Sequence, residues 1–532
     1  MEMSASDPGA QGQQRQTSAP RISASRRDEL HFQRPPVALV MAVVMTAVLE
    51  VLDTTIVNVA VPRMLGAFAA RPDQIAWVLT SYIVASAVVM PLTGYLSRWL
   101  SRRRLLFVAI SGFVFFSALS GMAWSLQSMV LFRIAQGVFG ASLVPLSQGI
   151  LLDTFPRERH GQALAVFGLG IMVAPLVGPA LGGYLTDTFS WRAVFYINIP
   201  IGILALVLSY GFLPKRPIAE LRTDWVGMGL LVLAVGALQY VLDQGQIRGW
   251  LSSRVIVIGI IVAVFTSVAF VVRGWNKKDN IVDLTLLRDR NFLVGTLAIS
   301  AYSLSLYGWM AIMPLFTQRL LGNPADIAGL LFIPRGLISA VTLALAGGIL
   351  VRVFDARFLV IGGLVMVALG TLPMAFFSLN VDHWDIIKPS LVAGFGAGLF
   401  FVPLTVMAFA NIRDEQYDEA AGIYALMRGI GGSAGIAVVT WLFERQTQVH
   451  LGELAAQITP YNPDIASYLG RHGLSPGSLG AQPLIAHKII NQAQLLAFSD
   501  VFWFIALLTL SVIPLILFMH RQKRSPLVPA VQ

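Results

Sequence analysis

The sequence predicts an all-α polytopic membrane protein, and three observations carry that reading. Of 532 residues, 56% are hydrophobic and only 12% charged, against about 25% charged in an ordinary soluble domain. Apolar stretches of about 20 residues, long enough to cross ~30 Å of hydrocarbon, recur from Pro36 to His520. The short connections between them hold most of the 38 Lys and Arg. About fourteen spans are expected, at 37–60, 75–97, 104–124, 128–152, 162–186, 194–213, 224–243, 254–273, 292–317, 326–351, 358–379, 387–411, 420–443 and 498–520.

Residues 1–36, rich in Ser, Gln and Arg, read as a disordered cytoplasmic tail, since no small-residue cleavage site precedes the first span. With that end inside, the basic residues collect on cytoplasmic loops, and an even number of spans returns tail 521–532 to the same side. Trp77, Trp124, Trp191, Trp250 and Trp384 then fall at outer span ends, where amphipathic rings prefer to sit. Residues 37–213 form an N-terminal six-helix half, 214–291 two inserted helices with a cytoplasmic linker, and 292–520 a C-terminal six-helix half. The polar stretch 444–497 within it is expected to be a periplasmic loop, either a binding element or a mobile insert. The halves are suggested by a recurrence: GYLSRWLSRRRL at 94–105 and GILVRVFDARFL at 348–359 occupy equivalent loops, each with Arg four residues after Gly. Two basic loops alike by topology alone are the alternative. Parallel halves of this kind bind substrate near the midplane between them.

Composition also excludes classes of function. The absence of Cys removes disulfides, thiolate metal sites and Cys nucleophiles. The seven His fall in tails, loops or at span ends, so no metal site is expected. Net charge +10 is spread over short loops rather than gathered on one domain, which argues against nucleic acid. A membrane-embedded enzyme would need a nucleophile with its base, or a metal cluster, inside the bilayer.

Glu50 and Asp53 lie inside the first span, three residues apart and so on one helix face. An intramembrane carboxylate faces a water-filled cavity or a partner. Apolar surroundings and a like-charged neighbour both oppose two full charges, so the pair is a candidate for taking up and releasing a proton. Solvation at the outer boundary, or a packing role, is the alternative. Arg133, followed by Gln136 and Gly137, is a fixed cation that could bias such a carboxylate or hydrogen-bond backbone carbonyls. Arg335 and Arg428 lie nearer span ends, where a long side chain can reach water. In GLGIMVAPLVGPALGG, 168–183, Ala174, Gly178 and Gly182 recur every four residues and offer a smooth stripe for another helix, while Pro175 and Pro179 favour a bend. Trp77, Tyr82, Gln136, Tyr302, Tyr307, Trp309 and Phe400 are candidates for lining a substrate cavity or for packing between helices.

At these residues the chain resembles the major facilitator superfamily, specifically its fourteen-span drug:proton antiporters (the DHA2 family) of the EmrB type. VLDTTIVNVAVP at 51–62, GYLSRWLSRRRL, LFRIAQG at 131–137 and APLVGPALGG at 174–183 carry the likeness, joined by LQYVLDQG at 238–245 and IVDLTLLRDRNF at 281–292. The resemblance covers nearly everything after the N-terminal tail. It implies the fold of that superfamily and an exporter of amphipathic drugs or toxic hydrophobic compounds, driven by a proton gradient without any cofactor. It further implies a multi-pass protein of a Gram-negative inner membrane, partnered by an EmrA-type periplasmic adaptor and a TolC-type outer-membrane channel. Asp53 would carry the proton, with Glu50 beside it and Arg133 as electrostatic modulator. Gly168, Pro175, Gly178, Pro179, Gly182 and Gly183 would form the antiporter motif, and Gly94, Arg98, Arg102 and Arg103 the loop motif. Two departures stand out: an acid is usual in the loop motif where this chain has Arg98, which puts its charge lock in question, and Gln is usual at Glu50. A dedicated exporter of one metabolite, such as a siderophore or fatty acid, would use the same scaffold.

Overall fold

In lipid a peptide group has no water to bond, so a chain this apolar must satisfy its backbone within each segment, and helices do so. The computed structural model describes residues 37–210, 223–275, 280–456, 467, 469–471 and 480–520. The expected tails 1–36 and 521–532, part of the linker and the middle of 444–497 lie outside them. The described residues contain no strand, and 14 of their helices are long and apolar enough to cross a membrane. In order these are α1 (Val37–Ala67), α2 (Trp77–Leu100), α3 (Arg102–Gly121), α4 (Leu126–Thr154), α5 (Arg157–Thr188), α6 (Ala193–Tyr210) and α7 (Trp225–Gln244). The series continues with α8 (Arg254–Gly274), α9 (Arg290–Leu320), α10 (Ile327–Val353), α11 (Ala356–Phe376), α12 (His383–Phe409), α13 (Asp414–Ala456) and α14 (Ala481–Leu517). Several start at a polar cap: Ser125 accepts from the Ser128 N–H before α4, Asp289 from the Phe292 N–H before α9, and Asp382 begins a reciprocal capping box with Asp385 at α12.

One expectation needs correction. The stretch 444–497 is not a loop throughout, because α13 continues to Ala456 and α14 already begins at Ala481. Polar composition marks where a helix leaves hydrocarbon, not where it ends. The α13 extension is tied to the start of the apolar part of α14, with Gln446 Nε2 and His450 Nε2 each 2.8 Å from an Asp500 carboxylate oxygen. Trp191 lies at a span end, between α5 and α6, but is buried there against Phe68 and Phe195, while Trp124 and Trp384 are exposed.

The two six-helix halves repeat one packing plan. α1 packs on α5 and α6, α2 on α4, and α3 on α4; correspondingly α9 packs on α13 and α14, α10 on α12, and α11 on α12. The inserted α7 pairs with α8 and touches both halves, through α2 and α13. Thr80 of α2 hydrogen-bonds Asp243 of α7, and Gln239 donates to Ser433 of α13 at 2.6 Å. The halves meet where α13 lies against α2 and α4 and where α5 lies against α10 and α12.

Glycine sets the closest helix contacts. A Cβ at Gly178 would collide with Thr55 Oγ1, and one at Gly182 would lie 2.9 Å from the Ile56 carbonyl oxygen, so the α5 stripe rests on the α1 backbone. The second half repeats the device: Gly431 and Gly435 of α13 lie against the backbones of Ser300 and Leu304 on α9. α5 remains one helix through Pro175 and Pro179.

Candidate functional site

Asp53 is completely buried at the centre of a hydrogen-bond cluster drawn from three helices. Arg133 Nη1 of α4 donates to its Oδ2 at 2.7 Å, while Gln136 Nε2 and Asn198 Nδ2 of α6 donate to Oδ1 at 3.0 and 2.7 Å. Arg133 is itself oriented by the Val78 carbonyl at 3.1 Å and Gln136 Oε1 at 2.9 Å, and its guanidinium lies 4.2 Å from the Tyr82 ring centroid. Asn198 is held by Ser117 Oγ at 3.0 Å, which bonds the Phe195 carbonyl. Removing water from an ion pair is costly unless hydrogen bonds complete it, and here they do.

Glu50 shares the face of Asp53 but does not meet it. The chain of α4 turns at Ala141 and Ser142, and a second helical segment begins at Leu143. Glu50 Oε2 accepts the Val144 N–H of that new helix start at 3.1 Å, where the helix dipole favours negative charge. Half-buried Arg428, on α13 of the other half, acts on Glu50 electrostatically. The two carboxylates thus have separate partners, one within the first half and one facing the second.

The loop motif ties the halves together at their basic end. Arg102 Nη1 bonds Asp153 Oδ2 of α4 at 2.8 Å, and its Nε bonds Asp418 Oδ2 of α13 at 2.5 Å. Arg98 Nη1 pairs with Glu419 Oε2 at 3.0 Å, and the Asp283 N–H reaches Glu419 Oε1 at 2.5 Å. The lock questioned from sequence is therefore present with its sign reversed, an arginine on α2 meeting a carboxylate on α13. Gly94 allows it, since a Cβ there would collide with Glu419. Arg103 stays outside the lock, donating to the Tyr210 carbonyl at 2.9 Å. Gly168 faces Leu343 of α10, and a Cβ at Gly183 would meet nothing nearer than the Val59 side chain at 4.0 Å.

The seven cavity candidates do not converge. Tyr82 and Gln136 belong to the Asp53 cluster; Tyr302 and Phe400 are buried against each other with ring centroids 4.2 Å apart. Trp309 is buried beside Arg335, Tyr307 is exposed, and Trp77 stacks on Tyr240 of α7 at 5.9 Å. Arg335 does not extend to water: it is 7% exposed, with its guanidinium 3.7 Å from the Trp309 ring centroid. Sequence reasoning missed Asn198, which its position as a lone amide in an apolar span, INIP at 197–200, could have signalled. It also missed Asp418 and Glu419, whose partners are distant in sequence, and Asp243, bonded by Thr80, which in turn receives the Gln244 amide at 3.3 Å.

Two pseudo-equivalent six-helix halves, locked at one end and holding a buried carboxylate beside their interface, define a membrane transporter. Comparison with known proteins agrees: the Major Facilitator Superfamily pattern matches residues 43–436. The fatty acid resistance protein FarB of Neisseria gonorrhoeae is 36% identical over 475 residues, 88% of this chain and 93% of that protein. The multidrug export protein EmrB of Escherichia coli is 32% identical over 486 residues, 91% of this chain and 95% of its own. The crystal structure of the human organic anion transporter MFSD10 superposes with a TM-score of 0.57 at 17% identity, over 90% of this chain and 100% of that one, a likeness of fold alone. The chain belongs to the Major Facilitator Superfamily, among its fourteen-span EmrB-type transporters.

Proposed function

We propose that this protein is a proton-coupled antiporter that exports amphipathic drugs or toxic hydrophobic compounds by alternating access. It works in a Gram-negative inner membrane with both termini cytoplasmic, delivering substrate to a periplasmic adaptor of the EmrA type and an outer-membrane channel of the TolC type. The proton gradient supplies the energy, with no cofactor or metal, and the protein catalyses no covalent reaction. The relatives' names, fatty acid resistance and multidrug export, support the substrate class.

The observation that carries the reading is the buried Asp53–Arg133 pair. A guanidinium keeps its proton, so protonating Asp53 leaves Arg133 as a buried cation without its counter-charge, a state costing about 3–5 kcal/mol. Relief requires α1 and α4 to shift. Thr55 and Ile56, less than one turn beyond Asp53, rest on Gly178 and Gly182 of α5, and α5 packs on α10 and α12 of the other half. Proton uptake is thereby connected to the interface that must rock. Each pH unit of gradient supplies ~1.4 kcal/mol, and each charge crossing 100 mV about 2.3 kcal/mol, enough to concentrate a small molecule.

The test is efflux from proteoliposomes with an imposed pH difference. Asp53→Asn mimics the protonated acid in size and charge and cannot give up a proton, so it should bind substrate yet lose gradient-driven efflux; wild-type efflux in that variant would refute the assignment. A dedicated exporter of one metabolite is the second reading, favoured by the relative named for fatty acid resistance. A panel of amphipathic cations, weak acids and fatty acids in the same assay separates the two.

A further inference from the structure

Each half buries an arginine against an aromatic ring, on helices that do not correspond, α4 in the first half and α10 in the second. In the first half Arg133 lies over an aromatic ring and has its carboxylate, Asp53. In the second half Arg335 of α10 lies over Trp309, and among the described residues no carboxylate pairs with it. Its buried Nη1 has no hydrogen-bond partner in the protein, and the hydroxyls of Tyr302 and Ser305, on α9, are buried and equally without partners. All three groups line one crevice, whose apolar wall includes Leu306 of α9 and Val367 of α11. The crevice is closed around them, with no space for a water-sized sphere.

Buried polar groups are almost always hydrogen-bonded, so three unsatisfied ones around one crevice need an explanation in function. All three can donate: a guanidinium has donors only, and each hydroxyl has one O–H. A cation flanked by two hydroxyl donors complements an anion with two oxygens, and charge-assisted bonds to it are the strong kind. We propose that Arg335, Tyr302 and Ser305 form a carboxylate-binding site in the C-terminal half, opened as α9 and α10 separate, that takes the acid group of an amphipathic substrate. The carboxylate takes the place relative to Arg335 that Asp53 holds relative to Arg133, and the apolar body lies along Leu306 and Val367. The inference rests on the exporter reading for its biological use, because it names a substrate class for that activity.

The experiment is equilibrium binding of tritiated 2-naphthoate to the purified full-length protein, with 2-naphthamide as the uncharged competitor of the same shape. Wild type should prefer the acid at least tenfold. Arg335→Gln should reduce that preference to near unity, and Tyr302→Phe or Ser305→Ala to a few-fold. Arg335→Lys keeps the charge but not the planar fork, so it should retain the preference with weaker binding; it also keeps the site testable if Arg335→Gln fails to fold. No preference in wild type, or an undiminished preference in Arg335→Gln, overturns the proposal. Ethidium efflux by wild-type proteoliposomes reads the exporter assignment without involving a carboxylate, so failure of that reading and failure of this site are separate results.

Discussion

Asp53 and Glu50 show how three residues of separation can divide roles on one helix. Asp53 is enclosed by Arg133, Gln136 and Asn198, whereas Glu50 caps the second segment of α4 through Val144. Glu50→Ala should leave a buried N–H without an acceptor and cost about 1–3 kcal/mol, seen as a lower thermal unfolding temperature. Glu50→Gln retains an acceptor and should recover most of that loss; equal destabilisation by both would show that the cap is not what Glu50 supplies. The Asp53–Arg133 association was legible because an intramembrane acid and base need each other. Glu50's partner was hidden, since it depends on the turn at Ala141 and Ser142, for which Pro145 in the first turn of the new segment is the only sequence sign.

At the scale of helices, the α5 stripe makes a graded prediction. Gly178→Val should abolish transport and lower stability, because its side chain would enter Thr55 on α1, while Gly183→Ala should be tolerated, because Val59 stands 4.0 Å from the new Cβ. Efflux and unfolding temperature for the two variants check this; equal effects would remove the packing role. Span positions were legible because hydropathy reports contact with lipid. Span ends were not, as α13 and α14 show by continuing as helix through the polar segments on either side of residues 457–480. The counterpart stripe of Gly431 and Gly435 on α13 went unnoticed because it lacks the prolines that drew attention to α5.

For the whole molecule, the lock between the halves is the feature that alternating access must break and remake. Arg98→Glu should weaken transport by setting two carboxylates together, and the double variant Arg98→Glu with Glu419→Arg should restore it to within a few-fold of wild type. Failure of the exchange to rescue would mean that the pair is incidental. The buried Arg102–Asp418 pair also spans the halves: in Asp418→Asn, Arg102 keeps only Asp153 of its own half, so the variant should shift towards the state open at this end, read by labelling of a cysteine introduced there. The loop motif itself was legible, but Asp418 and Glu419 are more than 300 residues away from their partners, and only the fold brings them together.

Exchange of substrate for a proton at Asp53 is tested most directly by proton release from purified protein in weakly buffered detergent, followed with a pH-sensitive dye as substrate is added. Wild type should release protons on binding, and Asp53→Asn should bind the same substrate without releasing any. Equal release from both would contradict the account.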